Sequence, residues 1–414
     1  MDVVVERCAG IDVGKKTVAV TVRTPDGRGG RRQQTRTFGT VTGQVLALRD
    51  WLVGERVTVA AMEATSDYWK PVFYLLEDAT DCWLLNAHHL KAVPGRKTDV
   101  RDSEWIAQLV EHGLVQPSFV PPPPIRELRD LTRYRKTVIE ERTREVQRLE
   151  KVLEDAGIKL GSVASSIVGA SGRAMLAALI AGERDATVLA DLAQRRLRKK
   201  IPELREALLG RFGTHHALLV REMLARIDAA DATAARLSVE IDNRLAPFRD
   251  RLDLLMTIPG VARRTAEVIL AETGGDMRVF GSADKLASWA GMCPGNNESA
   301  GKHRSGRTRK GSKWLRSALV ESAYAAARTK DTYLAAQFWR LAGRRGRPRA
   351  AVAVGHSILV VAYHVLDRQQ PYTDLGGDYF VSRLSTQAHA RRLVAQLEHL
   401  GLRVTVQPVD PEAA

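Results

Sequence analysis

Apolar and polar residues at the start of the chain follow patterns that predict a β-sheet with helices between its strands. Valine alternates with threonine or alanine over residues 17–22, which is typical of a half-buried strand. Residues 57–62 and 81–86 are short apolar runs, as expected of buried strands. Residues 41–53 carry apolar side chains at helical spacing. This alternation predicts a mixed α/β sheet.

The middle of the chain changes character at four consecutive prolines, residues 121–124, which favour a stiff linker. Residues 125–156 are charged and helical, with Leu128, Leu131, Val138, Leu149 and Val152 at near-heptad spacing. Arg135, Arg142 and Glu145 interrupt that seam. Two interpretations stay open: a coiled-coil arm, or one long helix packed within the monomer.

Helices dominate the rest of the chain. Residues 162–250 are predicted to form several helices, in which the basic run 195–200 can be a solvated face. His215 and His216 are interpreted as surface or core residues rather than metal ligands. Residues 350–366 predict a buried helix rather than a membrane span, because Gly, His and Ser interrupt them. A last helix and a short strand at 403–406 complete the prediction.

Residues 257–270 resemble a helix-hairpin-helix, in which two helices flank a tight turn. Gly260 permits the turn, since glycine tolerates left-handed backbone angles. Backbone N–H groups at the start of the second helix can then face a phosphate. An ordinary helix pair is the other interpretation.

Composition narrows the class of protein. A chain of 414 residues with 44% hydrophobic content has enough core for two or three domains. The net charge of +15 favours a polyanionic partner. Three dispersed cysteines fit neither a disulfide framework nor a zinc site, and no secretory signal is evident, so a reducing cytosol is expected.

The segment Gly-Ile-Asp-Val-Gly at residues 10–14 places Asp12 near the end of the first predicted strand. A buried acid is costly unless a cation meets it. Three interpretations fit: a metal ligand of a ribonuclease-H-like nuclease, the first phosphate loop of an actin-like or sugar-kinase-like ATPase, or an acid that closes a turn. The ATPase hypothesis is weaker, because no second phosphate loop of Asp-Gly-Gly type follows.

Further acids favour the metal hypothesis. Glu63 ends another predicted strand, and Asp99 and Asp102 are three residues apart on one predicted helix, hence on one face. Four oxygen donors suit Mg²⁺ or Mn²⁺. The simpler interpretation of Asp99 and Asp102 is a pair of helix first-turn acids.

A second candidate site lies in a basic segment near the C-terminus. Residues 299–316 contain seven Lys or Arg residues and no acid, as expected of a segment that follows a phosphate backbone. Ser299 in that segment is a candidate nucleophile, although a phosphate hydrogen bond or a turn is the simpler role. The predicted nucleic-acid contacts are Gly260, Lys302, Arg304, Arg307, Arg309, Lys310 and Lys313.

Several of these motifs together resemble the DEDD transposases of the insertion-sequence family numbered one hundred and ten. The resemblance lies in Met-Glu-Ala-Thr at 62–65, Asn-Ala-His-His at 86–89 and Val-Pro-Gly-Arg-Lys-Thr-Asp-Val-Arg-Asp-Ser-Glu-Trp at 93–105. It continues in Glu-Ser-Ala-Gly-Lys at 298–302 and Arg-Thr-Arg-Lys-Gly at 307–311.

The resemblance implies an α/β plus α architecture of four regions. Residues 1–118 would be a ribonuclease-H-like (RuvC-like) mixed-sheet domain whose metal-site acids are Asp12, Glu63, Asp99 and Asp102. Residues 119–250 would be the proline linker and a helical, coiled-coil middle. Residues 251–380 would be a mostly helical transposase domain with the helix-hairpin-helix and the catalytic Ser299, and residues 381–414 a tail.

The implied activity is that of an insertion-sequence transposase, a DNA recombinase guided by a structured bridge RNA. It would use Mg²⁺ or Mn²⁺, bind element ends and target DNA, form a dimer or tetramer, and act in the bacterial cytoplasm at the nucleoid without a membrane. Two alternatives remain: a RuvC-like Holliday-junction nuclease that uses water, and a non-catalytic nucleic-acid-binding scaffold.

Overall fold

The chain folds into two units with separate cores, Met1–Val120 and Pro121–Ala414. The structure is a computed structural model that describes residues 2–86, 102–295, 297–299, 302–382 and 386–406.

A five-stranded mixed sheet forms the centre of the first unit. Its strands are β1 (Cys8–Val13), β2 (Thr17–Pro25), β3 (Arg31–Gly39), β4 (Val59–Glu63) and β5 (Asp81–Leu85). The strand order is β3-β2-β1-β4-β5, with β1, β2 and β3 antiparallel and β4 and β5 parallel to β1. This order and these directions confirm the predicted ribonuclease-H-like mixed sheet.

Helices cover both faces of the sheet, because the strands bury apolar residues on both sides. Helices α1 (Thr42–Gly54) and α2 (Trp69–Leu76) pack with Ile11, Val13 and Val20 on one face. Helix α3 (Asp102–Glu111) packs with Cys8 and Ala61 on the other. The face of each β1 residue follows from the period of two along a strand.

The second unit begins with a long helix that packs against another helix of the same chain. Helix α4 (Pro123–Asp155) lies along α9 (Thr214–Arg244), and the ends of both helices support a small helical core. The helices between them are α5 (Leu160–Val163), α6 (Ala170–Ala181), α7 (Ala186–Asp191) and α8 (Ile201–Ala207), with a 3₁₀ helix at Arg195–Lys200. The coiled-coil interpretation of this region stays a prediction.

Charged residues that interrupt the apolar seam of α4 form ion pairs that neutralise their charge. Arg135 is 4% exposed, and its Nη2 lies 2.5 Å from Glu267 Oε2 in an ion pair. Glu145 is also buried and pairs with Arg148 at 2.6 Å. Burial of such pairs requires good geometry, because desolvation of each ion costs several kcal/mol.

The remaining helices form the C-terminal half of the second unit. They are α10 (Arg249–Met256), α11 (Arg263–Thr273), α12 (Ala283–Trp289), α13 (Lys313–Ala326), α14 (Tyr333–Arg345), α15 (Arg347–Arg368), α16 (Tyr379–Ser382) and α17 (Thr386–His399). Two short 3₁₀ helices at Ala246–Phe248 and Met277–Val279 accompany them. A hairpin of β6 (Asn297–Ser299) and β7 (Lys302–Ser305) lies between α12 and α13.

Two sequence predictions in this half have different outcomes. Helix α15 is long and apolar enough, by composition alone, to cross a membrane, but 56% of its apolar window is buried in the protein, as in a core helix. The predicted strand at residues 403–406 is wrong, since these residues form no strand. The β-branched residues there have no neighbouring strand in the described part of the chain, and strand propensity depends on such pairing.

We expect Arg135→Ala to lower the free energy of unfolding by about 3 kcal/mol, because it leaves the carboxylate of Glu267 buried without its closest cation. The matched control is Arg142→Ala, also on α4, which removes a more exposed ion pair with Asp231 of α9 and should cost less than about 1 kcal/mol. Urea unfolding followed by circular dichroism measures both values. Equal losses for the two variants would contradict a special role for the buried pair.

Candidate active site

Asp12 and Glu63 lie at the same edge of the sheet and on the same face. Gly10 is paired with Ala61 and Ile11 with Met62 in the parallel register of β1 and β4. One further residue along that register sets Asp12, the penultimate residue of β1, beside Glu63, the last residue of β4. Both side chains are on the face that carries α3, since Asp12 is two residues from Gly10 and Glu63 two from Ala61.

Gly10 allows α3 to approach β1 at backbone distance. A Cβ atom at Gly10 would lie 2.1 Å from the carbonyl oxygen of Ser103 and 2.3 Å from the backbone nitrogen of Ala107. Any side chain at this position would therefore displace the helix. The later part of α3 lies beside the start of β1, since Cys8 Sγ donates to the carbonyl of Ala107 and the N–H of Val4 to that of Glu111, so the first residue of α3, Asp102, lies toward the Asp12 end. Asp12 and Glu63 therefore share one end of the sheet, and the helix that begins at Asp102 covers the same face.

Two polar contacts hold α3 along the sheet. Near its first turn, the hydroxyls of Ser103 and Thr21 form a buried hydrogen bond of 2.9 Å. At its last residue, Glu111 is 1% exposed and pairs with Arg23 of β2 at 2.8 Å and with Arg31 of β3 at 2.5 Å. These contacts fix the helix at both ends. Sequence reasoning missed them, since they join residues far apart along the chain.

The oxygen donors at this edge are of the type that a hard divalent cation prefers. Asp102 has one carboxylate oxygen shielded from solvent, and Asp12 and Glu63 are half-buried. In the described part of the chain, the three carboxylates are not all within 4.8 Å of one another. Like charges repel, and a bound cation would relieve that repulsion. Asp99 lies outside the described residues, so its predicted place in this set is untested.

The described residues contain a different group with ligand atoms within 4.8 Å, formed by Asp155, His215 and His216. The backbone N–H of Gly213 donates to Nδ1 of His216 at 3.0 Å, so the proton of the neutral imidazole is on Nε2. Nε2 then donates to Asp155 at 3.0 Å, and this hydrogen bond lowers the pKa of the Asp155 carboxyl. Both ring nitrogens of His216 are therefore used to join the end of α4 to the start of α9.

Ser299 is the last residue of strand β6, in a β-hairpin that the sequence analysis did not predict. In the antiparallel register Ser299 pairs with Lys302 and Glu298 with His303, with a bulge between Asn297 and Glu298. The strands contain almost no apolar residues, so a pattern based on hydrophobic alternation does not detect them. The sequence feature that could have indicated a hairpin is Gly301, since glycine is common in hairpin turns.

The base of this hairpin is closed by glycine contacts. The N–H of Gly295 donates to the carbonyl of Arg307 at 3.1 Å. Added Cβ atoms at Gly291 and Gly311 would lie 2.6 Å from the nitrogen of Gly311 and 2.2 Å from the oxygen of Ala290, respectively. The two chain segments can meet at this distance only with glycine. These contacts fix the base of the hairpin.

A buried carboxylate connects the hairpin region to the long helix α4. Glu272 is 1% exposed and receives a bidentate hydrogen bond from Arg133, at 2.7 and 2.8 Å. The hydroxyl of Ser312, which caps α13, donates to the same carboxylate at 3.0 Å and accepts from the N–H of Leu315. Glu272 thus positions the start of the helix that follows the basic segment. The sequence signal that could have indicated this role of Glu272 is a glutamate on the apolar face of a helix.

The predicted nucleic-acid contacts have different structural settings. Arg307, Arg309, Lys310 and Lys313 are exposed, and Lys302 and Arg304 belong to β7. Gly260 joins α10 and α11 with a φ of +84°, and a Cβ there would lie 2.4 Å from the oxygen of Ser322. This gives Gly260 a packing role against α13. Phosphate contact by the nearby N–H groups stays a prediction.

We expect Gly10→Ala to destabilise the first unit by about 2 kcal/mol or more, because the new methyl group meets backbone atoms that cannot rotate away. The matched control is Gly43→Ala in α1, where an added Cβ meets nothing within 4 Å. Alanine in a helix should raise the stability there by up to about 1 kcal/mol. Denaturant unfolding of both variants is the measurement, and an unchanged Gly10→Ala protein would disprove the close approach.

Comparison with known proteins agrees with both candidate regions. A family model described as a DEDD transposase of IS110 type matches residues 9–158, and one described as the transposase IS116/IS110/IS902 family matches residues 252–340. The two matched regions together include more than half of the chain and hold Asp12, Glu63, Asp102 and Ser299.

Two individual proteins are also similar. A Sinorhizobium fredii protein (strain NBRC 101917 / NGR234), named "Putative transposase y4pF/y4sB", is 30% identical over 184 residues, which is 43% of this chain and 44% of that protein. The match therefore spans less than half of the relative. The solved structure "T. thermophilus RuvC in complex with Holliday junction substrate" is 15% identical, and the match covers 27% of this chain and 99% of that one at a TM-score of 0.21. The two family matches identify the chain as a member of the IS110/IS116/IS902 transposase family.

Proposed function

We propose that this protein is a transposase that cuts and rejoins DNA to move an insertion sequence. The observation that supports the proposal is the position of Asp12 beside Glu63 at the end of two parallel strands, on the face that α3 covers, within the region matched by the DEDD family model. The second matched region adds a fixed hairpin with Ser299 at its tip. A phosphoryl-transfer enzyme needs such groups at defined positions, whereas a passive scaffold does not.

The acid edge is proposed to hold Mg²⁺ or Mn²⁺ through Asp12, Glu63, Asp99 and Asp102. When bound, such an ion stabilises charge on the oxygens of the reacting phosphate. The protein's own contribution is to fix the carboxylates: the paired strands hold Asp12 and Glu63, and α3 holds Asp102 through its packing on Gly10.

Ser299 is proposed as the nucleophile. Its hydroxyl oxygen would bond to a DNA phosphorus while one strand-end hydroxyl leaves, which forms a serine–DNA phosphodiester. Attack by a strand-end hydroxyl would reverse the bond and release the serine. Exposed cations of the segment that follows, such as Arg307, Arg309 and Lys310, would stabilise the phosphate charge.

The partners proposed are element-end and target DNA and a structured bridge RNA, both consistent with the net charge of +15. Since the reaction would use acids from one unit and a serine from the other, we propose a dimer or tetramer in which protomers share sites. The proposed location is the bacterial cytoplasm, at the nucleoid.

A junction nuclease that uses water is the second candidate, because the acid edge alone would serve it. The hairpin favours the recombinase. A nuclease of that kind needs no second site, yet the chain fixes the hairpin base with three glycines and a capped helix.

Ser299→Ala should abolish DNA cleavage and the covalent adduct, since no oxygen remains to attack phosphorus. Wild-type protein should leave a protein–DNA species stable to denaturant, detected on a denaturing gel with labelled DNA. Ser305→Ala, on the partner strand of the same hairpin, is the control and should keep the adduct. Cleavage by Ser299→Ala at the wild-type rate would leave the water-using nuclease as the better proposal.

Asp12→Asn should abolish strand exchange but leave nucleic-acid binding within about twofold, because it removes a ligand charge without adding bulk. Asp50→Asn, an exposed acid on α1, is the control and should retain activity. Mixing Asp12→Asn subunits with Ser299→Ala subunits tests the shared site by a strand-exchange assay. Recovered activity supports sharing between protomers, whereas none in any ratio places both groups in one chain.

A further inference from the structure

A cluster of five cations lies in the helical region between the two family matches. Residues Arg195, Arg196, Arg198, Lys199 and Lys200 form a 3₁₀ helix of six residues, and all five are exposed. The sixth residue, Leu197, packs on the helical core instead. Because a 3₁₀ helix has three residues per turn, the cations surround the outer side of two turns, over about 12 Å.

These five cations are adjacent along the chain, and no neighbouring acid among the described residues neutralises them. In the described part of the chain, none of the five forms an ion pair, whereas neighbouring Arg205 pairs with Asp191 at 3.9 Å. On α4, Arg135, Arg142 and Arg148 all have carboxylate partners. Five adjacent positive charges repel one another, so an external anion would stabilise this arrangement.

A groove beside the cluster offers further donors to such an anion. It lies between the 3₁₀ helix and the segment 161–172, and its lining includes Arg195, Arg196 and Lys200 and the serines 162, 165, 166 and 171. No acid is among its lining residues. Serine hydroxyls and arginine N–H groups are the usual donors to phosphate oxygens in nucleic-acid complexes.

The walls of the groove are held at a fixed distance. Nζ of Lys200 donates to the carbonyl of Val163 at 3.0 Å, and the N–H of Gln194 donates to the hydroxyl of Ser171 at 2.9 Å. Arg195 between them has a φ of +51°, a left-handed conformation that is costly for a residue with a side chain. The cations are therefore displayed on a positioned wall rather than on a free loop.

We propose that this groove and the 195–200 cluster bind the phosphodiester backbone of a nucleic acid, as a contact separate from the predicted basic segment at 299–316. The length of the cluster matches about three nucleotides of one strand, since duplex phosphates recur every 3.4 Å of axis per strand. The contact is independent of base sequence, because the groove presents charge and hydroxyls to the backbone. This inference rests on the proposed function only in taking a nucleic acid as the partner.

The test compares Arg195→Gln/Arg196→Gln with the control Lys151→Gln/Arg221→Gln in the full chain. Both double variants remove two charges, and the control residues are exposed on α4 and α9 and do not line the groove. Affinity for a random-sequence duplex is measured at several salt concentrations. We expect the groove variant to bind on the order of tenfold more weakly at 0.1 M salt, with a salt slope lower by about 1.8, and the control to lose much less.

Further arms identify the partner and guard against misfolding. Duplex RNA of the same length and sequence is the second probe, and the nucleic acid with the larger loss is the one bound there; equal losses assign the contact to the backbone common to both. Arg195→Lys/Arg196→Lys keeps the charge and should restore the salt slope. Wild-type protein that binds neither probe would overturn the proposed function, and indistinguishable groove and control variants would overturn this site alone.

Discussion

The contact between the backbone of α3 and Gly10 of β1 is the constraint on which the first unit depends. Helices usually pack on sheets through side chains, which keeps the backbones apart. Here the absent Cβ of Gly10 lets backbone atoms of Ser103 and Ala107 occupy that space. The position of Asp102 relative to Asp12 is therefore set by two backbones rather than by adjustable side chains. Such rigidity suits a site in which a displacement of about 1 Å matters to catalysis.

The second unit fixes its candidate serine hairpin by the same principle, with different residues. Glycines 291, 295 and 311 bring two backbones into contact at the hairpin base. Buried Glu272 then links the cap of α13 to α4. In both units, glycine gives the close approach, and a buried acid with arginine partners keeps the helix in place. Each buried acid is stable only because its charge is paired.

The sequence predicts the structure best where a chemically distinctive residue falls within a clear hydrophobic pattern. The apolar patterns of β1 and β4 are clear enough to predict that Asp12 and Glu63 lie near strand ends, and the parallel pairing of the two strands sets those ends side by side. Gly10 was noticed, but Gly-Ile-Asp-Val-Gly is equally compatible with a phosphate loop, and only the partner helix distinguishes a packing glycine from a phosphate-binding one. In the sequence, Arg135 interrupts an apolar seam without an evident reason, because its partner Glu267 is 132 residues away along the chain. Long-range pairing of this kind leaves no local pattern.

Net charge also fails to locate contacts from the sequence alone, and the ion pairs in the structure supply the missing information. A value of +15 predicts a polyanionic partner but assigns it to no surface, because the basic residues occur throughout the chain. Ion pairs distinguish the basic residues that stabilise the fold from the others. Arginines along α4 neutralise buried or neighbouring acids and so belong to the first group. An exposed cation without an acid neighbour contributes nothing to folding through charge and repels other cations. The run 195–200 holds five such residues, and three of them, Arg195, Arg196 and Lys200, line an acid-free groove, so an external phosphate there would meet positive charge without competition from a carboxylate.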